Sequence, residues 1–158
     1  MRRLLVILAV LISPAAARTS LGTFEGWGTF RDERPTRCYA IAQPIRADGG
    51  KWRSFASVSN WPQSGERGQV QVRLSHALLA GAPVVLTIGV QRFALVAGGA
   101  DAWSPDQRTD AALVAAMRSA PGFTVRARAA TGRVFSESYA LKGAATAIDA
   151  AALGCARR

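Results

Sequence analysis

The sequence predicts an all-β protein, an antiparallel β-sandwich or partly open barrel of about eight strands, carrying two short helices. Three observations predict it. Most of the 158 residues alternate apolar and polar with period two, the pattern of half-buried strands. Glycine, proline and polar turn signals separate these runs at short intervals. Only two alanine-rich stretches break the rhythm.

Taken in chain order, the early strands lie in TFEGWGTFRD, TRCYAIAQPI and WRSFASVSNW. GQVQVRLS is the clearest alternation, with Val70, Val72 and Leu74 on one face and Gln69, Gln71, Arg73 and Ser75 on the other. PVVLTIGVQRFALVAG supplies two short strands around Gly89. GFTVRARAATGRVFSESYALKG reads as a hairpin that turns near Thr131 and Gly132, with Phe123, Val125 and Ala127 inside and Thr124, Arg126 and Arg128 outside. Gly26 and Gly28 around Trp27 read as a strand bend.

The first interruption, SPDQRTDAALVAAMRSAPG, predicts a helix over Ala111 to Ala120, with capping candidates Ser104 and Thr109 and a stop at Pro121-Gly122. The second predicts a helix from Ala144 to Leu153, with Gly154 as its C-cap. Ala144, Ala147, Ile148 and Ala151 form a narrow apolar face suited to close packing on a sheet.

The ends of the chain bear on compartment. MRRLLVILAVLISPAAARTS has the basic start, apolar run and small residues of a secretory signal, with cleavage expected after Ala17. Its apolar run from Leu4 to Ile12 falls well short of the roughly 20 residues that span a bilayer, and charges interrupt every later apolar stretch. The expectation is a signal at 1–17 and one domain at 18–158, soluble and periplasmic or secreted, with no transmembrane segment after cleavage. In an oxidising compartment the only two cysteines, Cys38 and Cys155, are expected to form a disulfide that ties the last helix to an early strand. Two buried free thiols are the alternative, and no C-x-x-C spacing marks a redox-active pair.

The formal charge is +10, and loss of the signal, which carries two arginines and no acid, lowers it to +8. Such an excess suits an anionic envelope component, whereas no motif points to nucleic acid. The arginines are spread along the chain, and Arg126, Arg128 and Arg133 on the last hairpin are the candidate centre of an anion-binding surface. Trp52, Trp61 and Trp103 are the candidate members of an aromatic groove; packing within a small β-protein is the alternative. His76 is the single histidine and has no partner at metal-ligand spacing, so neither a metal nor a cofactor is expected. No nucleophile elbow, P-loop or H-E-x-x-H occurs. Asp32, Glu66 and Asp101 remain as acids that a glycan hydrolase would have to bring together by folding.

The segments CYAIAQ and VVLTIGVQRFAL, and a late strand followed by LKGAATAIDA, make the chain resemble the invasion-associated locus B family of alphaproteobacterial envelope proteins. The resemblance implies a β-rich, exported, non-enzymatic envelope or secreted protein; export, the basic charge and the lack of a visible catalytic set lead to the expectation that it acts by binding an envelope component or a protein partner. The chain departs from the family pattern in lacking a second cysteine pair and, in its terminal LKGAATAIDAAALGC, the aromatic that often follows the glycine. A structural envelope protein assembling through strand edges is a further expectation to weigh.

Overall fold

The structure, a computed structural model, describes residues 18–156. The expected signal at 1–17 lies outside the described residues. Ten strands form one antiparallel sheet: β1 (Arg18–Phe24), β2 (Trp27–Glu33), β3 (Thr36–Ala42), β4 (Phe55–Trp61), β5 (Glu66–Arg73), β6 (Val84–Ile88), β7 (Gln91–Gly98), β8 (Asp101–Trp103), β9 (Gly122–Arg128) and β10 (Val134–Ala140). Helix α1 (Gln107–Met117) follows β8, and α2 (Ala144–Ala156) closes the described chain.

The strand order is β1-β2-β3-β4-β5-β8-β7-β6-β9-β10. The two strands beyond the expected eight have local causes. TFEGWGTFRD contains a hairpin and not a bend, because the chain reverses at Glu25-Gly26 and Phe24 pairs with Trp27. Strand β8 is three residues long, too short for alternation to register, yet it joins β5 to β7.

The sheet is open, and it curls. Ser138 on β10 meets Arg46, beyond the end of β3, in an isolated bridge; Ile45 N–H donates to the Ser138 carbonyl at 2.8 Å and Ser138 N–H to the Arg46 carbonyl at 2.9 Å. Trp27 reinforces the approach, its indole N–H donating to the Ala140 carbonyl at 2.9 Å. Strand β1 is the other edge, and a register shift between Ser20 and Gly22 interrupts its pairing. Such a bulge bends an edge strand and makes it a poorer template for another chain.

Alternation fills the interior as expected. Val70 and Val72 from β5 and Leu74 just after it, Val84 and Leu86 from β6, and Phe123, Val125 and Ala127 from β9 are all buried. Full burial of each larger side chain contributes about 1.5–3 kcal/mol. On one flank α1 lies over β5, while α2 covers the face built by β1 to β4. The buried face of α2 is Ala144, Ala147, Ile148 and Ala151, the four residues its spacing predicts.

The two helices differ from expectation at their ends. Helix α1 begins earlier, and its N-cap is Asp106, not Ser104 or Thr109: the Asp106 carboxylate accepts from Thr109 N–H at 2.7 Å. That bond favours the charged carboxylate and lowers the pKa of Asp106. Asp110, one turn in, is buried and accepts from Val70 N–H at 2.7 Å and from the Ser104 hydroxyl, pinning the helix to β5. Burial outweighs these bonds and raises its pKa.

Helix α2 runs through Gly154 to Ala156, so Gly154 is an interior residue and not a C-cap. Its value is close approach. A Cβ there would lie 2.4 Å from Leu21 Cδ1 and 3.7 Å from Cys38 Sγ, so the helix axis sits tight against β1 and β3. Cys155 is bonded to Cys38 of β3 at this contact, across a sequence separation of 117. In the chain-entropy account, closing a loop of that length stabilises the fold by roughly 4–5 kcal/mol.

Candidate ligand-binding surfaces

The residues of the last hairpin divide. Alternation along β9 places Arg126 and Arg128 outward, and both are exposed. Val85 of β6 pairs with Arg126, and Thr87, two residues on, pairs with Arg92 of β7 on the strand's other side. The register therefore collects Arg92, Arg126 and Arg128 on one outer face. They line a shallow depression of about 230 Å³ together with Pro83, Val85 and Val134. No carboxylate among the described residues pairs with any of the three. Arg128 Nη1 also donates to the Gly132 carbonyl at 2.7 Å, which steadies the hairpin turn.

Arg133 does not join them. Its guanidinium is ion-paired with Asp48 and lies 3.1 Å from His76 Nε2. His76 in turn packs edge-on against Phe135, ring centroids 4.9 Å apart, which gives the lone histidine a structural setting. Arg92 was missed by sequence reasoning because it lies far from the hairpin in the chain. Only the β6 register shows it to be a neighbour.

The three tryptophans do not share a groove. Trp52 lines one of about 650 Å³ that crosses the ends of β2 to β5, with Phe30, Ile41, Phe55, Arg53 and Arg73. Trp61 borders a separate hollow beside Arg18, Arg34 and Arg37. Its indole N–H donates to Gln69 Oε1 at 3.0 Å, and the Arg37 guanidinium lies 5.1 Å from its ring centroid. Trp103 stands on β8 opposite Gln71, beside Gly98. Phe30 and Phe55, which line the same groove as Trp52, carried no sequence signal beyond their own alternation.

The candidate acids are likewise held apart. Asp32 of β2 accepts from Arg18 at 2.9 Å and from Arg37 at 3.4 Å. Asp101 of β8 accepts from Arg73 through both oxygens, at 2.9 and 2.7 Å, and from Gln71 at 3.1 Å. Glu66 opens β5 opposite Trp61. The most enclosed carboxyl is a different residue, Glu137. It points inward from β10 between Phe135 and Tyr139, is fully buried, and accepts from Ser75 N–H at 2.8 Å, Ser54 Oγ at 3.0 Å and Tyr139 Oη at 3.3 Å. Burial first, then the neighbouring Glu137, raises the pKa of Tyr139. Among the described residues no three His, Cys, Asp or Glu side chains group as a metal site, and no helix is long and apolar enough to cross a membrane.

Comparison with protein-family models, with curated proteins and with solved structures returns no match.

Proposed function

We propose that this chain is an exported envelope protein of the invasion-associated locus B type, periplasmic or secreted, that works by binding and not by catalysis. Its ligand is a phosphate-bearing envelope component, held on the outer face of β6, β7 and β9. The observation that carries this reading is the set of three exposed arginines, Arg92, Arg126 and Arg128, with no carboxylate partner among the described residues, around one depression. Several arginines elsewhere are neutralised locally, as in the pairs Arg73–Asp101, Arg118–Asp149 and Arg133–Asp48. An arginine left without a partner on a rigid strand presents donors in a fixed fork that matches phosphate oxygens. The signal-like start of the sequence and the Cys38–Cys155 bond support an oxidising compartment.

The test is co-sedimentation of residues 18–158 with phosphatidylglycerol vesicles, with phosphatidylcholine vesicles and with lipopolysaccharide. Binding to the first or third, absent from the second, is expected at low salt. It should fade as salt shortens the screening length from about 10 Å at 0.1 M to 3 Å at 1 M. Equal affinity for phosphatidylcholine, or no binding to either anionic surface at low salt, would contradict the reading.

A further inference from the structure

The groove at the ends of β2 to β5 combines two chemistries, of which the arginine face shares only the second. One is a set of apolar walls: the rings of Phe30, Trp52 and Phe55 with the side chain of Ile41. Gly28 makes part of the floor, and its missing side chain has a use, because a Cβ there would come 2.9 Å from the Phe30 ring. The ring can therefore lie over the strand. The other chemistry is a surplus of donors. Arg53 is exposed and has no carboxylate partner among the described residues. Arg73 holds Asp101 through Nε and Nη2, and its guanidinium carbon lies 5.6 Å from the Phe55 ring centroid, which leaves Nη1 uncommitted among the described residues. Lys51 adds a cation 5.1 Å from the Trp52 ring centroid, and Gln43 adds an amide. Among the described residues no acid lines the groove.

The geometry points to a second binding site here, for a sugar ring that carries a carboxylate or a phosphate. A volume of about 650 Å³ lies within the roughly 300–1,000 Å³ of small-molecule sites. A sugar ring has C–H faces that pack on aromatic rings, and its hydroxyl oxygens accept from guanidinium and amide donors. Its acidic group then pairs with Arg53. A neutral sugar leaves that guanidinium without its counter-charge. A plain aromatic acid fills the walls and leaves Gln43 and Arg73 Nη1 without acceptors. The site is independent of the arginine face, since Arg92, Arg126 and Arg128 line a different depression.

The experiment is a nitrogen-15 chemical-shift titration of residues 18–158 with glucuronate, glucose 6-phosphate, glucose and benzoate. The expected result is movement of the Trp52 indole N–H with at least one acidic sugar, at an affinity about tenfold or more above that for glucose and above that for benzoate. The response to glucuronate or to glucose 6-phosphate tells which acid the site takes, and either one supports it. Arg53→Gln, a change at an exposed position, should weaken the acidic sugar about tenfold, whereas Arg108→Ser on exposed α1 surface removes the same charge and should leave it unchanged. Glucose binding as tightly as both acidic sugars, benzoate binding more tightly, an unmoved Trp52 resonance, or equal losses in the two variants would each overturn the proposal.

Discussion

Ser54, just before β4, and Glu137 in the middle of β10 are hydrogen-bonded in the interior, Ser54 Oγ donating to Glu137 Oε1 at 3.0 Å. The bond spans 83 residues of sequence and ties β10 to the segment that leads into β4, a strand that is not its neighbour in the sheet. Glu137 accepts from two further donors, so its carboxyl acts as a buried clamp where the sheet curls on itself. Glu137→Gln removes one of the two acceptor oxygens that take these three donors, and should cost about 1–3 kcal/mol in urea unfolding. Ser54→Ala should cost about 1–2 kcal/mol. Near-wild-type stability in both variants would show that the clamp is unimportant.

Tyr139 supplies a pH dependence at the same place. Its pKa is raised by burial and by Glu137, so the folded state keeps the phenol proton above the ordinary value of about 10 while the unfolded chain releases it. The contribution is therefore fully present below pH 10 or so and is lost as pH rises further. With Tyr39→Phe, Tyr139 is the remaining tyrosine, and its phenolate absorbance should appear only together with alkaline unfolding. Tyr139→Phe should shift that unfolding to higher pH. A phenolate signal from the intact fold near pH 10 would refute this.

The Cys38–Cys155 bond should dominate the stability of the fold. Reduction, or Cys38→Ala with Cys155→Ala, is expected to lower unfolding free energy by roughly 4–5 kcal/mol and to loosen α2 first, because the helix ends at that bond. Hydrogen exchange across α2 before and after reduction measures it. An unchanged melting profile would contradict the stabilising role.

Gly143, just before α2, has φ 85° and would place a Cβ 2.2 Å from the Phe24 carbonyl oxygen. Both the left-handed backbone and the backbone contact exclude a side chain. Gly143→Ala should cost about 2–3 kcal/mol or more, read from urea unfolding. Tolerance of alanine would mean that the β1–β2 turn can retreat from the helix.

Much of the architecture was legible because period two is a local signal. Val70, Val72 and Leu74 face the core, and Ala144, Ala147, Ile148 and Ala151 face the sheet, as their spacings require. What escaped was non-local or too short. Strand β8 has three residues, and the turn at Glu25-Gly26 lacks the Asn-Gly or Asp-Gly pair that usually announces a tight hairpin. Gly154 read as a helix stop because its packing against Leu21 is invisible in one dimension. The site residues divided for the same reason. Arg126 and Arg128 share a face by alternation, but Arg133 finds Asp48, Arg92 arrives across β6, and the tryptophans scatter to three places. Glu137 was overlooked although its position between Phe135 and Tyr139 at period two marks it as inward-facing.

The most direct measurement compares binding of Arg126→Ser/Arg128→Ser and of Arg133→Ser to phosphatidylglycerol vesicles at low salt. At about 1 kcal/mol for each arginine near an anionic surface, the double variant should bind roughly thirtyfold more weakly, while Arg133→Ser, whose charge is already met by Asp48, should bind as the wild type does. Wild-type affinity in the double variant, or an equal loss in Arg133→Ser, would contradict an anion-binding face on β6, β7 and β9.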